Sequence, residues 1–149
     1  MDSKIIILEY WKDQRAQARH TETQRATFTN IILIVAAALL GFVANIGFHA
    51  SNLALTATIT FLGLFGAATS AKYYERYNLH LEEAIRFSEM LAAQEQEYDY
   101  EKILGPVRAD HASRNRLARL RLNELWVAFH LIVAVIGFAM TIIIIIAIT

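Results

Sequence analysis

Residues 126–148 read WVAFHLIVAVIGFAMTIIIIIAI. The run holds no Lys, Arg, Asp or Glu and exceeds the ~20 residues that carry a helix across ~30 Å of hydrocarbon. A helix with no polar face must be surrounded by apolar material on every side. Residues 28–48, FTNIILIVAAALLGFVANIGF, and residues 53–71, LALTATITFLGLFGAATSA, have the same character: no formal charge lies between Arg25 and Lys72, and none follows Glu124. Three such helices cannot all be interior to a water-soluble domain of 149 residues. The sequence therefore predicts an all-α integral membrane protein with a transmembrane hairpin at 28–71 (spans 28–48 and 53–71) and a third transmembrane helix at 126–149.

Composition excludes several alternatives. The formal net charge is zero, so the chain lacks the basic footprint of a nucleic-acid-binding protein. Cysteine is absent, which removes disulfides and thiolate metal sites. The one proline and six glycines do not gather into a linker, so continuous helices with short breaks are expected.

His49-Ala50-Ser51-Asn52 is the turn available between the first two spans, and a connection that short makes them antiparallel. Residues 1–27 form a charged helix that opens with the apolar cluster Ile5 to Leu8, Tyr10 and Trp11, suited to a bilayer interface or a partner helix. Its acids Asp2, Glu9 and Asp13 argue against a signal peptide and for a mature cytoplasmic helix. Residues 72–125 form a second charged segment. Its first part, KYYERYNLHLEEAIRFSEMLAAQEQEY, continues the second span without a stop signal. Tyr74, Tyr77, Leu81, Ala84, Ser88 and Leu91 recur there at helical spacing, a stripe that needs a partner in the N-terminal helix, in the segment after Pro106 or in another subunit. Gly105-Pro106 is expected to break this segment and turn the chain back towards the bilayer, with Ser113 capping a following helix.

Lysine and arginine resist translocation and set orientation. Lys4, Lys12, Arg15, Arg19 and Arg25 precede the first span, and the remaining basic residues lie between the second and third. The N-terminus and residues 72–125 are thus expected to be cytoplasmic, with the C-terminus outside.

No catalytic set is evident, and an enzyme or a cofactor is not expected. Arg15 and His20 match the Arg-x4-His spacing of HEPN ribonucleases but read as solvated helix residues. His80, Glu83 and His111 read as scattered polar residues and not as a metal site, although His80 and Glu83 share a helix face. Ala37 with Gly41, Gly63 with Ala67 and Gly66 with Ser70 have the small-xxx-small spacing that brings helix backbones close, within a chain or between copies. Arg108, Arg114, Arg116, Arg119 and Arg121 form a juxtamembrane run fitted to anionic lipid head groups or to a nucleotide or other anion. His130 and Asn45 are candidates for a pore or an interface, and Asn30 and Asn45 for caps or cross-helix bonds.

A polar N-terminal helix, a hairpin of two spans and a long helix beginning KYYERYNLHLEEA resemble, over about residues 5–100, the SLATT-type small membrane proteins of bacteria. A similar topology occurs in RipA-type octameric membrane proteins. The SLATT resemblance implies a homo-oligomeric, pore-forming or membrane-disrupting effector in bacterial defence, triggered by a cytoplasmic protein or a nucleotide. The third span departs from the two of the typical member. A non-conducting membrane adaptor or assembly factor that anchors a cytoplasmic partner is the alternative expectation.

Overall fold

The computed structural model describes residues 3–94, 100–115 and 120–149. Among these there are four α-helices and no strand: α1 (Ser3–Ile46), α2 (Leu53–Gln94), α3 (Tyr100–Arg114) and α4 (Leu122–Ile148). α1, α2 and α4 are long and apolar enough to cross a membrane. Their apolar residues point mostly outward. Ile34 and Ile146 are each 70% exposed, and Val135 is 65% exposed, a surface that water would not tolerate and hydrocarbon does.

The chain divides into two units. The apolar unit comprises Thr23–Tyr73 and Leu122–Thr149. It is a three-helix bundle, and its register can be read from its contacts. Thr29 of α1 meets His130 of α4, and Arg25, one turn earlier, lies over the ring of Trp126, also one turn earlier, so α1 and α4 run parallel. Against α2, α4 runs the opposite way, with His130 at Gly66, Ala134 at Gly63, Gly137 at Thr60 and Thr141 at Thr56. Phe28 packs edge-on to Phe65, with centroids 5.8 Å apart, and joins α1 to α2. Ala36, Ile59 and Val133 form the core, covered by Leu33, Leu39 and Leu40.

The hairpin turn begins earlier than the sequence alone indicates. α1 ends at Ile46 because Gly47 takes φ +93°, a conformation that closes helices and that side chains with a Cβ resist. The Gly47 N–H still reaches Val43 O at 2.8 Å, and the buried Asn52 amide donates to Gly47 O at 2.6 Å. Phe48 therefore lies in the turn and not in the span. α4 also contacts the short 3-10 turn Ala50–Asn52.

The charged unit comprises Met1–Glu22 and Tyr74–Arg121. Here the first part of α1 packs on the second part of α2. Tyr10 stacks on Phe87 at 5.6 Å, and His80 Nδ1 lies 2.8 Å from Gln14 Oε1. Ala18, Thr21 and Ala84 are buried, small residues where two helices meet. The stripe on α2 thus has the N-terminal helix as a partner. Ala84 is buried, and Tyr74, Tyr77, Leu81, Ser88 and Leu91 are half-buried.

Gly105 and Pro106 do not break the chain. Both lie inside α3. Proline removes one backbone donor and fixes φ at a value that a helix accepts, and Pro106 is exposed, so the backbone at this turn stands open to water. Ser113 is in the last turn of α3, where its hydroxyl donates to Asp110 O at 2.8 Å, so it does not cap a following helix.

Candidate functional site

The seam between α2 and α4 is built on absent side chains. A Cβ placed at Gly63 would lie 2.7 Å from Ala134 Cα, and one at Gly137 would lie 2.5 Å from Thr60 N. A Cβ at Gly66 would fall on the His130 imidazole. Backbones this close gain dispersion contacts that lipid cannot supply, which is how helices associate where no hydrophobic drive separates protein from lipid. Ala67 is buried beside the glycines.

Polar groups occupy both ends of this interior. At one end Thr29 Oγ1 lies 3.2 Å from His130 Nε2, and His130 is 1% exposed. Its Nδ1 has no hydrogen-bond partner among the described residues, and neither does the hydroxyl of buried Ser70, one turn along α2 from Gly66. At the other end the Thr141 hydroxyl donates to Thr56 Oγ1 at 2.8 Å, and Thr56 is fully buried. Ala36, Ile59 and Val133 stand between the two polar ends, an apolar plug inside the subunit.

The expected residues separate into groups. Gly63, Gly66, Ala67 and Ser70 are buried in the bundle, and His130 is a buried, hydrogen-bonded residue rather than one open to the surroundings. Ala37, Gly41 and Asn45 are exposed, and a Cβ at Gly41 would meet nothing within 4 Å. Arg108, Arg114 and Arg121 are exposed, Arg114 pairing with Asp110 at 2.8 Å, while Arg116 and Arg119 lie outside the described residues. His80 is 3.4 Å from Glu83 and bonded to Gln14, whereas His111 lies near Asn115; no cluster able to hold a metal occurs among the described residues. Arg15 and His20 are exposed.

Sequence reasoning missed Thr29, Thr56, Thr60 and Thr141 as partners across helices, and Arg25 as a buried residue over Trp126. The one usable signal was Gly137, the single glycine of the third span.

Comparison with family models, with curated proteins and with solved structures gives no match.

Proposed function

We propose that this membrane protein acts as a homo-oligomer, a pore-forming or membrane-disrupting effector controlled through its charged helices. The observation that carries this reading is the outer face of α1. At 100° per residue, Asn30, Ala37, Gly41 and Asn45 fall on one side of that helix, and all four are exposed. Glycine within a helix costs about 0.5–1 kcal/mol relative to alanine. Gly63, Gly66 and Gly137 recover that cost in the seam, whereas a Cβ at Gly41 would meet no other helix among the described residues. A second copy would supply one. Two amides about 22 Å apart on the same face are costly against lipid and useful against another polar helix or a water-filled path. The apolar plug inside the subunit favours a path between subunits over one through the bundle.

In this reading the basic residues place the N-terminus and residues 72–125 in the cytoplasm. Arg108, Arg114, Arg116, Arg119 and Arg121 would then bind anionic lipid, and a cytoplasmic protein or a nucleotide would act on the same segment. The resemblance to SLATT-type proteins points the same way. Native mass measurement of the detergent-solubilised protein, with dye and ion leakage from liposomes, tests the proposal. An oligomer that leaks is expected, and a monomer overturns it.

The adaptor reading draws on the exposed Ile5, Ile6, Leu8 and Tyr10 of the charged unit, an apolar surface suited to a protein partner. Sealed liposomes around an intact oligomer would favour it.

A further inference from the structure

We infer that His130 is an acid-sensitive latch that holds α4 in the bundle. The neutral imidazole has one N–H and one lone pair, and the imidazolium has an N–H on both nitrogens. In the seam Nε2 is matched by Thr29, while Nδ1 sits against Gly66 with no acceptor among the described residues. The neutral ring is accommodated there. The charged ring would bury an N–H without a partner among the described residues.

The surrounding charges act in the same direction. On α1 the nearest charged group is Arg25, one turn before Thr29 and packed over Trp126. On α2 no residue from Leu53 to Ala71 titrates, and Lys72 and Tyr73 follow Ser70. On α4 the nearest is Glu124, exposed and six residues before His130, and it is the one carboxylate in the sequence of the apolar unit. Protonation would therefore add a buried positive charge between stretches of α2 and α4, residues 53–71 and 125–148, that carry no carboxylate side chain. Moving the ring away from Gly66 relieves this, and because the ring is carried by α4, its release loosens α4 from α2. A fall in pH, as in an acidified compartment, is the condition that would load a proton onto the ring and release the contact.

This deepens the reading above, since a pore needs a trigger, but its test stands apart. The chain has no cysteine, so Leu64→Cys and Val135→Cys, exposed sites at one level of α2 and α4, can be spin-labelled without background. Labelled subunits are diluted into unlabelled ones, and the distance between the labels is measured from about pH 7.5 to about pH 5. A wider distance at acid pH in the otherwise native chain, absent in His130→Gln, is expected. A distance unchanged across that range overturns the latch, whatever the variant does, and so does equal widening in His130→Gln. Liposome leakage on the same samples separates the two proposals. Widening without leakage removes the pore and keeps the latch, whereas leakage at fixed distance removes only the latch.

Discussion

Gly66 and His130 occupy one volume between them: the imidazole fills the space that a side chain at 66 would take. Replacing Gly66 by Ala should therefore displace the ring and destabilise α4 docking by about 1–3 kcal/mol, as overpacking does. Reversible unfolding in mixed micelles measures this. A loss below that of an exposed Ala→Gly control would show that the ring yields freely.

Gly41 should behave in the opposite way. Its Cβ position is empty within the chain, so Gly41→Ala should leave the subunit as stable or raise it by up to about 1 kcal/mol. Gly41→Leu should keep the subunit folded and weaken association. Sedimentation in density-matched detergent separates these outcomes, and unchanged association in Gly41→Leu would count against the α1 face as a seam.

Thr56 and Thr141 share a hydrogen bond of 2.8 Å at the buried end of the seam. A double-mutant cycle with valine at both positions should give a coupling of about 0.6 kcal/mol, and not above about 1.7, the range for such bonds in membranes. Zero coupling would mean that each hydroxyl is satisfied by its own helix, as Thr141 also is through Gly137 O.

Ala84 is 1% exposed where α1 and α2 pack in the charged unit. Ala84→Leu should part these helices at a cost of about 1–3 kcal/mol and speed amide exchange between Tyr10 and Gln14, the stretch of α1 at its level. Exchange at those amides equal to that of the native chain would show that the two helices do not depend on this contact.

The spans could be read from the sequence because the absence of charge belongs to the chain itself and needs no knowledge of neighbours. The same holds for the stripe through Ala84, whose spacing states that a face exists. What faces it does not follow. Gly63 and Gly66 were visible as small residues, but their pairing with Ala134 and His130 depends on which helices slide together and in what register, a property of shapes across the bundle. The burial of His130 could not be read for the same reason, since its depth is set by two other helices. Pro106 was misread as a stop because a local preference was weighed without its exposure, which lets the helix lose one bond at little expense.

α4 runs parallel to α1 and antiparallel to α2, so a helix made after the hairpin completes a surface that α1 and α2 have already prepared. Until it arrives, the groove at Gly63 and Gly66 stands open to acyl chains too coarse to fill it. The nascent hairpin is therefore a recognisable unfinished species, and quality-control proteases that patrol the bilayer would have a physical basis for telling it from the mature subunit. Insertion of α4 would then serve as a checkpoint of biogenesis, with competence for assembly conferred by α4 and not by the hairpin alone.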